Sequence, residues 1–148
     1  MLQPIDNVKY DFISLPEHSE WGMLMPKTDS LTGKGYITKD DIKSIPIIMH
    51  QRIGLQNEIA HWAGINIEDL NIVATYNVVH GSPICFVQNE LGYFLTTREM
   101  LAPKLDDSVC FLPLKPQIPT QLALVWKKHA VFSNTSKVFM KKIEELLQ

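Results

Sequence analysis

Three polar clusters hold the groups in this chain best suited to chemistry: His50-Gln51-Arg52, Thr75-Tyr76-Asn77 and Thr96-Thr97. Each closes an apolar run of strand character, Pro46–Met49, Leu70–Tyr76 and Tyr93–Thr97. Hydroxyl, amide and guanidinium donors at strand ends, beside the free N–H groups that open a following helix, suit a small anion or polar molecule. Arg52 can clamp an anion through two parallel hydrogen bonds, or can be a solvated helix-start residue. Ile53 and Val78 continue the first two clusters. Thr96 and Thr97 can instead cap a turn.

Other arrangements lead to weaker chemistry. His80 and Cys85 lie five apart, but a Cys–His pair needs an accessible, low-pKa thiol. Cys85 is flanked by Ile84 and Phe86 in an apolar helical pattern, and Cys110 sits in another apolar run. Both read as free thiols packed as small hydrophobes. The histidines lack metal-ligand spacing, and no HExxH, CxxC, P-loop or GxSxG occurs. The residues therefore indicate a binding protein without cofactor, metal or catalytic centre.

The 148 residues are 45% hydrophobic and 20% charged, the range of globular proteins. Fourteen basic residues face 16 acidic ones, a balance that suits nucleic-acid gripping poorly. No stretch approaches the roughly 18 apolar residues of a membrane span. The opening residues MLQPIDNVKY lack a signal-peptide pattern, so a cytoplasmic location is expected.

Several elements must position the clusters. Tyr10–Leu15 and Trp21–Met25 read as strands joined by a polar connection, Pro16–Glu20. Thr38, with Asp41 three residues on, opens a short helix that Pro46 closes. Leu55, Ile59 and Trp62 recur at helical spacing, with Gly64 placed to end that helix. Ile84, Val87 and Leu91 form a second such set, closed by Gly92. This helix begins either at Pro83, with Ser82 as cap, or near Val78 with Pro83 inside it. Strand, helix, strand, helix, strand at this spacing is a βαβαβ unit with a parallel sheet. Val109–Leu114 and Leu122–Trp126 are further strands, separated by a proline-rich tract. A helix from about Asn134, capped by Ser133 or Asn134, presents Phe139, Ile143 and Leu146 on one face.

Prolines thus mark two exits from the central block, at Pro26 and at Pro113–Pro119. Two crossings between two α/β lobes describe a hinged binding protein with a cleft. The expected division is 1–27 as part of lobe one, 28–113 as a complete lobe two, and 114–148 as the return to lobe one. Met25, Pro26, Lys27 and Leu114 are then hinge residues.

The ordered segments WGMLMPKTDSLTGKGYITKDDIKSIPIIM, LNIVATYN, NELGYFLTT and LALVWKKHAVFSNTSKVFMKKIEEL resemble the effector-binding domain of LysR-type transcriptional regulators. The family's Pro-Lys turn corresponds to Pro26–Leu31. Its helix-to-strand corner corresponds to Glu90-Leu91-Gly92-Tyr93, and its closing strand and helix follow around Phe132-Ser133. The resemblance implies a periplasmic-binding-protein-like α/β fold that senses a small-molecule effector through Gln51, Arg52, Ile53, Thr75, Tyr76, Asn77, Val78 and Thr96. It also implies that DNA is reached only through a helix-turn-helix domain that these residues do not include. A stand-alone small-molecule-binding protein of the same fold is the alternative. The family's subunits associate through the helix near Leu55–Trp62 and the strand near Ile72. Together with an exposed edge expected around Trp21, Met23 and Trp126, this implies a homo-oligomer.

Overall fold

The computed structural model describes residues 5–77 and 83–147. The described residues form eight strands and four α-helices in two compact units, one within 19–119 and one made of 5–18 with 120–147. In the larger unit, strands β2 (Trp21–Pro26), β3 (Ile37–Thr38), β4 (Ile47–His50), β5 (Ile72–Tyr76), β6 (Tyr93–Thr97) and β7 (Val109–Lys115) form one sheet in the order β3-β7-β2-β6-β4-β5. β4 is parallel to both β5 and β6, whereas β2 runs antiparallel to β6 and β7.

The βαβαβ expectation is met by β4, helix α2 (Ile53–Ala63), β5, helix α3 (Pro83–Gln88) and β6. The chain steps from β4 outward to β5, then back across β4 to β6. Crossovers in opposite directions, if right-handed as such connections regularly are, put α2 and α3 on opposite faces of the sheet. Under α3, Leu24, Ile48, Phe94 and Val109 pack around Val87, which is fully buried. Strand alternation turns Met23, Met25, Met49 and Leu95, all at most 1% exposed, to the other face, where Leu55 and Ile59 of α2 are also buried. Side chains of this size contribute roughly 1.5–3 kcal/mol each when fully buried. β5 is an edge strand and Val73 is 47% exposed, so the two-sided cover expected of every strand fails there.

The short helix α1 (Lys39–Ser44) opens with a capping box: the Asp41 N–H donates to Thr38 Oγ1, and the Thr38 N–H donates to Asp41 Oδ2 at 2.9 Å. Gly64 ends α2 in the left-handed region at φ 71°, as its position predicts. Thr38→Ala should lower stability by about 1 kcal/mol, because one helix-start donor loses its acceptor. Urea unfolding followed by circular dichroism measures it.

The smaller unit holds strand β1 (Tyr10–Ser19), whose last residue already belongs to the larger unit, strand β8 (Thr120–Lys127), paired with β1 as a two-stranded sheet, and helix α4 (Asn134–Leu146). Ser133 caps α4, its Oγ accepting from the Ser136 N–H. None of the α4 residues is buried: Phe139 is 53% exposed and Leu146 78%. β1 continues through Pro16 to Ser19, where a connection was expected. Proline is tolerated there because this narrow sheet leaves edge positions without a ladder donor to supply.

The structure also moves the exits. β2, expected in lobe one, is a central strand of the larger unit, with β6 on one side and β7 on the other. Trp21 and Met23 are therefore 3% and 0% exposed instead of forming an open edge. Of the expected hinge residues, Met25 pairs with Cys110 and Pro26 with Val109, the Lys27 N–H donates to Ser108 O, and Leu114 pairs with Ile37. All four lie inside one unit. The chain passes between units at 18/19, about seven residues before Pro26, and at 119/120, directly after Pro119 at the end of the proline-rich tract expected to hold the second exit. Pro26 sits at the last position of β2, where the strand ends anyway.

Candidate functional site

The carboxyl ends of β4, β5 and β6 converge at one end of the larger unit. β4 lies between the other two, so the crossovers diverge at the β4–β6 boundary, the topological switch point where open α/β sheets bind ligands. The β4–β6 ladder stops at Ile48–Phe94, whereas the β4–β5 ladder continues to His50–Tyr76. The strands beyond Phe94 therefore part, and the predicted clusters line that parting.

Tyr76 organises it. Its ring stacks on Phe94 at 4.5 Å between centroids and meets the His50 ring edge-on at 5.4 Å. Its hydroxyl donates to Leu95 O at 3.0 Å, reaching across β4 to β6. Burial raises the Tyr76 phenol above its usual range, against a hydrogen bond with Thr96 that lowers it. Thr96, expected as an effector contact, is 2% exposed, so its hydroxyl serves Tyr76. Strand alternation turns neighbouring side chains to opposite faces, which adjacency in sequence does not reveal.

Gln51, Arg52 and Ile53 follow β4 and open α2. The Gln51 N–H donates to Tyr76 O at 2.8 Å, tying the first cluster to the second. Gln51 and Ile53 are exposed, and Arg52 is half-buried at the N-cap of α2. Thr75 and Asn77 are exposed on either side of half-buried Tyr76. Val78 and His80 lie outside the described residues, as do the alternatives for the start of the α3 helix; the described part begins at Pro83. The structure thus brings Gln51, Arg52, Ile53, Thr75, Tyr76 and Asn77 to one end of the sheet.

Two residues there escaped sequence reasoning. Gln56, 7% exposed, donates from Nε2 to His50 O at 3.1 Å and so holds the end of β4. Glu58, on the same helix, buries Oε2 without a hydrogen-bond partner among the described residues. Burial raises the Glu58 carboxyl, against the attraction of Arg52; burial likewise lowers the Arg52 guanidinium, against Glu58. The available signal was a polar residue beside each apolar α2 position, Gln56 after Leu55 and Glu58 before Ile59. Thr97 Oγ1, at the end of β6, is also buried without a partner among the described residues.

His50 is the titrating group. Burial and then the Arg52 charge lower its pKa, against a backbone hydrogen bond at Asn77 that raises it. Its Nδ1 accepts from the Arg52 N–H at 3.0 Å, which requires that nitrogen unprotonated. A depressed folded-state pKa gives stability that is fully present above the unfolded value of 6.5 and lost as pH falls through the folded one. The melting temperature should therefore drop below pH 6.5 by more in the wild type than in His50→Gln. Melting curves across pH 5–7.5 test this.

Among the described residues no group of three His, Cys, Asp or Glu side chains could hold a metal, and no helix is long and apolar enough to cross a membrane. No family model and no curated protein matches the sequence. Solved structures do match. The regulator HinK from Pseudomonas aeruginosa, described as LysR-family, superposes with a TM-score of 0.67 at 16% identity, over 99% of this chain and 52% of that one. The fold is that of the LysR effector-binding domain. A LysR-family C-terminal domain from Rhodococcus sp. RHA1 gives 0.65 at 17% identity, covering 91% of this chain and 67% of that one. The CcmR regulatory domain of Synechocystis PCC6803, in complex with 2-PG, gives 0.66 at 13% identity over 99% and 71%. The QuiR effector-binding domain, in complex with shikimate, gives 0.69 at 16% identity over 94% and 66%. The chain spans about half the length of the HinK regulator it matches, and the structural neighbours are transcriptional regulators.

Proposed function

We propose that this chain is the effector-sensing domain of a LysR-type transcriptional regulator, acting in the cytoplasm on a small anionic effector. The observation that carries the reading is the convergence of Arg52, the α2 N-terminus, Tyr76 and Asn77 at the switch point of the larger unit. Donors dominate that surface: the Arg52 guanidinium, the first N–H groups of α2, and the Gln51 and Asn77 amides. The Tyr76 and His50 rings form its aromatic floor. Neighbours with the same fold hold shikimate and 2-PG, which supports a small-molecule ligand here.

The test is a thermal-shift screen of the protein against small carboxylates and phosphorylated compounds, with isosteric neutral analogues as controls. A binder should raise the melting temperature in proportion to the logarithm of its concentration and perturb the amide resonances of Gln51, Arg52 and Asn77. Stabilisation by neutral analogues alone, or turnover of a bound compound, would defeat the reading. The same reading includes self-association, supported by the open edge and exposed Val73 of β5. A monomeric mass in light scattering at micromolar concentration would count against that part.

A further inference from the structure

The larger unit has a second concavity, at the amino-terminal ends of the same strands. It is a cavity of about 440 Å³ between the end of β2, the start of β4 and the start of β6. That volume falls within the range of small-molecule sites, roughly 300–1,000 Å³. β4 is four residues long, so this cavity and the switch-point surface lie at opposite poles of the strand, about 13 Å apart.

Pro26 and Pro46, both half-buried, give the cavity an apolar wall, and Val87, fully buried, packs behind the lining. The polar wall carries Asp29, Glu90, Tyr93 and Thr28. Its chemistry is one-sided. The Tyr93 hydroxyl donates to Asp29 Oδ2 at 2.6 Å, and burial and then Asp29 raise its pKa to about 12, so the proton stays committed at neutral pH. Tyr93 therefore offers only lone pairs to the cavity. Asp29 Oδ1 accepts from the Leu31 N–H at 2.8 Å, which fixes the carboxylate's orientation. Glu90 adds a second carboxylate, and among the described residues no Lys, Arg or His lines the space. Lys27, exposed at the end of β2, acts on Asp106 and, opposite to Asp29, on Cys110. The close approach of the walls depends on Gly92, at φ 152°, where an added Cβ would lie 3.0 Å from Pro46 O.

A cavity of this size with acceptors on one wall, two negative charges and an apolar opposite wall complements a donor-bearing cation with a short hydrocarbon body. We propose that the larger unit carries a second small-molecule site, in the cavity between Pro46, Val87, Glu90 and Tyr93, for a small alkylammonium ligand. This site shares no residue with the switch-point surface and does not depend on the function proposed above.

The probes are n-butylammonium and 1,4-diaminobutane, with n-butanol and butyrate as neutral and anionic isosteres, titrated into the 15N-labelled protein at constant ionic strength. The ammonium probes should give saturable amide shifts at Thr28, Glu90, Gly92 and Tyr93, with none at Gln51 or Asn77. Glu90→Gln, at an exposed position, should weaken binding about five-fold, the effect of one solvent-facing ion pair. Asp29→Asn should weaken it further; because Asp29 also caps a turn, the Glu90 variant is the deciding one. Unsaturable shifts, equal shifts from butanol or butyrate, or unchanged affinity in Glu90→Gln would each overturn the proposal.

Discussion

Gly22→Ala should destabilise the larger unit by about 3 kcal/mol or more, the upper range for overpacking a closed core. Gly22 lies in the middle strand of the sheet, paired with Thr96 on one side and Pro113 on the other. A Cβ there would lie 2.3 Å from Cζ of Phe111 and 2.4 Å from Leu112 O. The ring could swing away, but the carbonyl belongs to a β7 backbone held by the β2–β7 ladder and cannot. The collision is therefore paid in broken ladder hydrogen bonds or displaced strands. Chemical unfolding should show a lower midpoint, and Gly22→Ala with Phe111→Ala should recover only part of the loss. Full recovery in the double variant would show that the ring alone fills the space.

Arg52→Ala should weaken binding of any anion found in the thermal-shift screen by about 30-fold, which corresponds to roughly 2 kcal/mol for one charged hydrogen-bonding group. Arg52→Lys should fall between, since a lysine keeps the charge without the planar fork. Arg52 also faces Glu58, whose buried carboxylate oxygen would lose its nearest compensating charge. The single variant should thus lose some stability as well as affinity. Adding Glu58→Gln should restore the stability and leave the affinity low, a separation that a merely structural Arg52 would not produce. Calorimetric titration and melting curves on the same four proteins measure both. Wild-type affinity in Arg52→Ala would place the anion elsewhere.

Local physics settled a large share of this protein before any fold was known. Thr38 and Asp41 specify a helix start by themselves, because a capping box closes within four residues. Gly64 ends α2 for an equally local reason, and the spacing of Leu55, Ile59 and Trp62 shows the face that α2 buries. Apolar runs split by polar turns gave the order β4-α2-β5-α3-β6 and, through the strand-end rule, the region of the candidate site. Sequence could not assign β2 to its unit. A central strand and an edge strand can carry the same apolar letters, and only the partners β6 and β7 show which one WGMLM is. Pro26 ends a strand in either case, so its presence could not place a crossing. The division of labour among Thr96, Tyr76 and Leu95 was equally hidden. It rests on a tyrosine reaching across an intervening strand, a contact between residues 19 apart. The chain determines its elements through interactions a few residues long. Which polar groups face a ligand, and which satisfy one another, follows from strand order and register, set by long-range burial.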